Sequence, residues 1–224
     1  MNAFGIDGPL QKYGTMIYDV IITNTLFIVL SALSLGVMCG PALAAGYACV
    51  HASTVCAQSG AMKLFWATIK ARWKVSLVLF LIMIILLGLE ALNIYIVLMN
   101  NLGGVWMMSL YGFFLLEIIF VFTYAFPLAA VTKMKFKDII KWSFILCHRH
   151  LGTTLLASVC NVFGAAIVFM VFALKALGLS ILIFFIFGLI MTINSHLIIK
   201  RILTSGKYPA IELADRLQAQ EGGC

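Results

Sequence analysis

A chain of 224 residues with 63% hydrophobic residues, 10% charged residues and a mean hydropathy of +1.10 lies outside the composition of soluble globular proteins, in which about a quarter of residues are charged. A bilayer core about 30 Å thick needs roughly 20 apolar residues per helix, so this length predicts a helical membrane protein with five or six spans. The net charge of +7 does not indicate nucleic-acid binding, because no basic domain lies outside the apolar runs.

The first apolar run extends from Val20 to Met62 without a charged residue, which is too long for one helix and barely long enough for two. We favour one span over 20–39, retained after synthesis, with the following small residues lying at the inner interface. Gly40-Pro41 is expected to break the helix there. In the alternative, 41–57 crosses back as a short helix and the chain has six spans.

A basic, aromatic stretch at 62–74 follows, in which Lys and Arg alternate with Phe and Trp. Aromatic rings suit the headgroup boundary and long cationic side chains can reach it, so this stretch predicts a helix lying on the membrane surface. A second span over 75–99 contains Glu90 and Asn93.

The second half of the chain repeats this arrangement. A span over 106–127 contains Glu117, a second basic and aromatic stretch follows at 133–149, and a span over 151–174 contains Asn161. A last span is predicted over 179–199. We therefore predict an all-α bundle at 1–203 with five transmembrane helices and two interfacial amphipathic helices, followed by a short tail at 204–224.

Positive charges set the orientation of the bundle. Four Lys or Arg residues lie at 63–74, five at 133–149 and four at 200–216, whereas Lys175 alone lies in a predicted outer turn. Because positive residues concentrate on the cytoplasmic side, both basic stretches and the C-terminus are predicted to be cytoplasmic. The N-terminus is then outside with five spans, or inside with six.

Polar residues within the predicted spans form a candidate intramembrane site, which comprises Glu90, Asn93, Glu117 and Asn161. Glu117 lies eleven positions after Trp106, about 16 Å along a helix, near the membrane midplane. Asn161 has a similar depth, so we expect a protonated Glu117 to hydrogen-bond to it. Such a pair is either a clamp between helices or a proton or substrate site. Glu90 is expected to pair with Lys175.

The two basic stretches form a candidate cytoplasmic face for binding a partner or lipid. Its predicted members are Phe65, Trp66, Lys70, Arg72, Trp73, Phe136, Lys137, Lys141, Trp142 and Arg149.

Residues that usually carry catalysis are sparse. The six cysteines show no CxxC spacing, and the four histidines form no metal-ligand pattern. Glu90 and Glu117 lie at different depths, so they do not form a carboxylate pair. We expect no disulfide, metal, cofactor or catalytic residue, and we expect that the protein is not an enzyme.

Several motifs match a known family in order along most of the chain. They are GPALAAGY at 40–47, the basic aromatic stretch at 65–74, FPL at 126–128, and the loop at 137–156 that includes RHL at 149–151. On these motifs the chain resembles the YesL family (DUF624), a family of bacterial multi-span proteins of unknown function. The usual Leu-Arg-His-Leu of the family reads CHRHL at 147–151 here.

The resemblance implies a bacterial cytoplasmic-membrane protein encoded beside carbohydrate ABC importers, without established catalytic residues. We expect a non-catalytic accessory or regulatory protein that binds an ABC permease subunit. Neither inner loop of this chain contains the E-A-A motif followed by Gly that is typical of such permeases. The alternative is a small transporter or channel that works as a homo-oligomer, with Glu117, Asn161 and Asn93 along a polar path.

Overall fold

The computed structural model describes residues 9–54, 60–100, 104–173 and 180–203, and these residues contain no β-strand. The all-helical fold predicted from composition is therefore confirmed for the described chain. Its elements are α1 (Pro9–Leu33), α2 (Cys39–Thr54), α3 (Ala61–Asn100), α4 (Gly104–Val131), α5 (Phe136–Arg149), α6 (Leu151–Ala173), α7 (Ser180–Asn194) and a π-helical segment (Ser195–Leu203).

Three described helices are long and apolar enough to cross a membrane, over Gly14–Leu33, Ala61–Asn100 and Gly104–Val131. A fourth candidate is the pair Phe136–Arg149 and Leu151–Ile167, whose two helices are bent by 106°. A shorter apolar helix covers Ile186–Lys200. These helices are those of a membrane-embedded protein.

The first basic stretch and the span that follows it form one helix. α3 has 40 residues, about 60 Å, which is about twice the thickness of the hydrocarbon core. The predicted break between a surface helix at 62–74 and a span at 75–99 is therefore wrong. No Gly or Pro separates the two segments, so nothing in the backbone interrupts the helix.

α1 and α2 form an antiparallel hairpin. The chain reverses at residues 34–38, where Leu35 and Gly36 have positive φ values of 50° and 86°. After the turn, Gly46 of α2 returns to Thr23 of α1, so that a Cβ at Gly46 would lie 3.7 Å from the Thr23 methyl group. Residues 40–53 of α2 are almost all buried. The expectation that this stretch lies at the inner interface of the membrane stays a prediction.

Small residues explain why α2 is buried. A Cβ added to Gly40 would lie 2.6 Å from the backbone oxygen of Ser76, so glycine is what permits α2 and α3 to approach this closely. At the other end of α2, the thiol of Cys49 lies 3.2 Å from the carbonyl oxygen of Ala61. Pro41 does not break the helix because it occupies the first turn, where its missing N–H has no intrahelical acceptor.

α5 folds back along α4. It begins five residues after α4 ends at Val131, and its other end brings His148 to within 3.2 Å of Glu117, which lies midway along α4. The chain then bends sharply at His150 into α6. The buried core consequently surrounds α2, the first half of α3 and the last ten residues of α4, whereas the distal halves of α3 and α4 expose apolar side chains.

Candidate functional site

Glu117 contacts α5 and does not contact Asn161. Its Oε1 lies 3.2 Å from Nε2 of His148, and its Oε2 is buried without a hydrogen-bond partner among the described residues. The predicted hydrogen bond between Glu117 and Asn161 is therefore wrong. The reason is the return of α5 along α4, which brings a side chain from the second basic stretch to the level of Glu117.

The second ring nitrogen of His148 determines where the protons of this pair lie. Nδ1 is 2.9 Å from the carbonyl oxygen of Phe144, which can only accept a hydrogen bond, so Nδ1 carries a proton. Nε2 then accepts from a protonated Glu117, or donates to the carboxylate as part of an imidazolium. Both arrangements hold one shared proton and have no net charge.

His148 belongs to α5, which together with α6 forms the bent pair that is a candidate span. Glu117 and His148 line a groove of about 690 Å³ between α3, α4 and α5, together with Phe136 and Lys137 of the candidate cytoplasmic face. Residues of the candidate intramembrane site and of the candidate cytoplasmic face therefore line the same groove.

Asn161 belongs to a separate polar cluster. Its Nδ2 donates to Oγ1 of Thr123 at 3.1 Å, and its Oδ1 accepts from Nδ2 of Asn194 at 2.7 Å. The same Asn194 nitrogen donates to the hydroxyl of Tyr47 at 3.0 Å. We call Tyr47, Thr123, Asn161 and Asn194 the Asn161 cluster. It links α2, α4, α6 and α7, which is the expected arrangement for a polar clamp between apolar helices.

The Asn161 cluster borders a cavity of about 750 Å³ between α2, α3, α4, α6 and α7. Tyr47, Thr123 and Asn161 supply its polar side chains, and the other lining residues are apolar. This volume lies within the range of about 300–1,000 Å³ for small-molecule sites. The cavity is therefore large enough for an apolar ligand that makes a few directed hydrogen bonds.

Glu90 and Asn93 belong neither to the Glu117–His148 pair nor to the Asn161 cluster. They line neither the groove beside the pair nor the cavity beside the cluster. Glu90 is buried, and its Oε1 has no hydrogen-bond partner among the described residues. Its predicted partner, Lys175, lies outside those residues, so that ion pair stays a prediction. The four polar residues predicted as one intramembrane site therefore occupy three separate places.

Arg72 brings the two basic stretches together. Its Nε donates to the carbonyl oxygen of Ala129 at 3.1 Å, and its Nη2 donates to that of Met134 at 2.7 Å. Carbonyls at the C-terminal end of a helix lack intrahelical partners, and a cation there is also favoured by the helix dipole. Arg72 consequently fixes the first half of α3 against the end of α4 and the connection to α5.

The other members of the candidate face differ in exposure. Phe65 is fully buried, so its prediction as a surface residue is wrong; it lies on the inner side of α3 beside Ile69. Phe136 and Trp142 are half-buried. The exposed members are Trp66, Lys70, Trp73, Lys137, Lys141 and Arg149.

Cys39, Cys49, Cys147 and Cys160 form no disulfide bond with one another, while Cys56 and Cys224 lie outside the described residues. Within the described ranges, no group of three or more His, Cys, Asp or Glu side chains could hold a metal ion.

Sequence reasoning missed Tyr47, His148 and Asn194. Asn194 is an isolated amide in an apolar run, which is a recognisable signal for contact between helices. Its partner Tyr47 is 147 residues away in the chain, so the spacing of residues could not reveal the pair.

No protein-family model, curated protein or solved structure matches this chain. The family resemblance of its motifs stays a prediction.

Proposed function

We propose that this chain is a non-catalytic accessory or regulatory protein of the bacterial cytoplasmic membrane, which binds the permease of a carbohydrate ABC importer through its cytoplasmic face. The carbohydrate context comes from the resemblance to the YesL family. The observation that supports a binding face is the Arg72 contact with Ala129 and Met134, because it joins two basic stretches that are far apart in sequence.

We propose full spans over 75–99, 106–127, 151–174 and 179–199, with both basic stretches and the C-terminus on the cytoplasmic side. The antiparallel hairpin of α1 and α2 favours a cytoplasmic N-terminus, because α2 ends near Ala61, where the first basic stretch begins. α2 has 16 residues, about 24 Å, and is shorter than the hydrocarbon core. The hairpin would therefore enter and leave on the cytoplasmic side, in place of a single span over 20–39.

The composition of this face suits a protein partner at the membrane surface. Trp66 and Trp73 are exposed on the outer side of α3, and the ammonium of Lys74 lies 5.7 Å from the centre of the Trp73 ring. Trp and Arg are enriched among the residues that contribute most to protein interfaces. Lys70 and Lys141 add positive charge that would attract an acidic partner surface or anionic lipid headgroups.

The proposal is tested by co-purification of the tagged protein from native membranes in mild detergent. Reversing two charges of the face, Lys70→Glu with Lys141→Glu, should reduce recovery of the permease several-fold. Lys175→Glu, in the predicted outer turn, is the matched control and should leave recovery unchanged. Failure of the wild-type protein to recover a permease, or equal recovery with the double variant, would contradict the proposal.

A second candidate function is a small transporter or channel that acts as a homo-oligomer. The position of the Asn161 cluster beside a cavity of about 750 Å³ favours it, because polar side chains along a membrane cavity can line a solute path. Reconstituted protein should then carry a solute flux that Asn161→Leu reduces. A stable monomer that moves no solute would eliminate this candidate.

A further inference from the structure

Two hydrogen-bond donors of the Asn161 cluster are left without an acceptor among the described residues. Asn194 uses both amide protons, one toward Tyr47 and one toward Asn161. Asn161 uses one amide proton toward Thr123, whose hydroxyl donates to the carbonyl of Ile119 at 2.8 Å. The hydroxyl proton of Tyr47 and the second amide proton of Asn161 have no acceptor within the described part of the chain.

These two unused protons belong to side chains that line the same cavity. The Tyr47 oxygen and the Asn161 Oδ1 bind the same nitrogen of Asn194, at 3.0 and 2.7 Å, so the two groups are close neighbours. Asn194 Oδ1 is also buried and has no partner in the described ranges, but Asn194 is not among the residues that line the cavity. A buried donor without an acceptor costs about 1–3 kcal/mol, so an acceptor placed in the cavity would be favoured.

The chemistry of the cavity limits what that acceptor can be. None of its described lining residues has a charged side chain, so an ionised group would enter without a counter-charge from them. A carbonyl oxygen has two lone pairs and can accept from Tyr47 and Asn161 together. We propose that the cavity binds an acyl chain of a glycerolipid, with the ester carbonyl of that chain accepting hydrogen bonds from Tyr47 and Asn161.

The position of the cluster along the chain agrees with this ligand. Lys200 follows Asn194 by six residues and marks the cytoplasmic end of the last predicted span. The helical rise then places Asn194 at most about 9 Å inside that boundary. Lipid ester groups lie at the edge of the hydrocarbon core, so a lipid of the cytoplasmic leaflet can place its ester near the cluster while its chain occupies the apolar cavity. The inference holds whichever partner binds the cytoplasmic face.

The test compares two lipids that differ in their ester carbonyls. The purified full-length protein is titrated with diacyl phosphatidylglycerol or with its dialkyl ether analogue, and bound lipid is counted by native mass spectrometry. We expect wild-type protein to prefer the diacyl lipid by about three- to tenfold, the effect of one or two neutral hydrogen bonds. Tyr47→Phe should reduce this preference toward one.

Tyr124→Phe is the matched control, because Tyr124 is also buried but its hydroxyl pairs with Thr154 at 3.0 Å and does not line the cavity. It should retain the preference for the diacyl lipid. Equal binding of both lipids to the wild-type protein, or the same loss in both tyrosine variants, would overturn the proposal.

A second variant keeps the proposal testable if Tyr47→Phe does not fold. Ala165 lines the cavity from α6 and is otherwise exposed, so Ala165→Leu reduces the cavity volume without entering the protein core. It should weaken binding of both lipids. Unchanged binding of both lipids to this variant would place them outside the cavity and overturn the proposal.

Discussion

Replacing Gly40 with alanine should destabilise the bundle by separating α2 from α3. The added Cβ would lie 2.6 Å from the carbonyl oxygen of Ser76, whereas ordinary contact begins at 3.4 Å, and it would clash more severely with the Cβ of Phe80. Neither neighbouring atom is the end of a flexible side chain. The helices must therefore move apart along a contact that buries most of α2.

We expect Gly40→Ala to lower the free energy of unfolding by about 1–3 kcal/mol, the usual cost of inserting a methyl group into a tightly packed core. The measurement is reversible unfolding of the purified protein in mixed micelles, in which increasing sodium dodecyl sulfate is followed by loss of helical circular dichroism.

Gly88→Ala is the matched control, because Gly88 lies in α3 and a Cβ there would have no atom within 4 Å. It should leave stability unchanged, or raise it by up to about 1 kcal/mol through helix propensity. Equal stability of Gly40→Ala and wild-type protein would refute the close packing of α2 against α3.

Two further outcomes follow from individual contacts. Arg72→Gln should lower stability by about 1.5–3 kcal/mol in the same unfolding assay, because it removes charged hydrogen bonds to two carbonyls, and Arg72→Lys should recover only part of this loss. Asn194→Leu should cost about 0.6–1.7 kcal/mol, the range for hydrogen bonds between membrane helices, and a larger loss than this would indicate that the Asn161 cluster organises more than its own contacts.

Composition was sufficient to predict an all-helical fold, but local breaks could not be predicted from residue type alone. Gly40-Pro41 has the composition of a helix breaker, yet the proline occupies the first turn of α2, where it is tolerated, and the glycine permits close packing against α3. Conversely, the change from basic to apolar residues near Val75 indicated a boundary, although the helix continues through it. Burial against neighbouring helices decided both cases, and it depends on contacts distant in sequence.

The contacts of the polar residues also depend on parts of the chain that are distant in sequence. Glu117 and Asn161 were recognised as unusual because ionisable and amide groups are rare in apolar spans. Their predicted pairing relied on equal depth, which neglects the rotation of each helix about its axis and the return of α5. The actual partner of Glu117 is His148, which lies in α5, and the actual partner of Asn161 is Asn194, which lies in α7.

The most direct test of the proposed binding face is site-specific photo-crosslinking in native membranes. Benzoylphenylalanine is placed at Trp66, which is exposed on the first basic stretch, or at Trp106, which is exposed at the predicted outer end of α4. The account predicts a crosslink from position 66 to a permease subunit of a carbohydrate ABC importer, and none from position 106. A permease crosslink from position 106 alone, or from neither position, would contradict it.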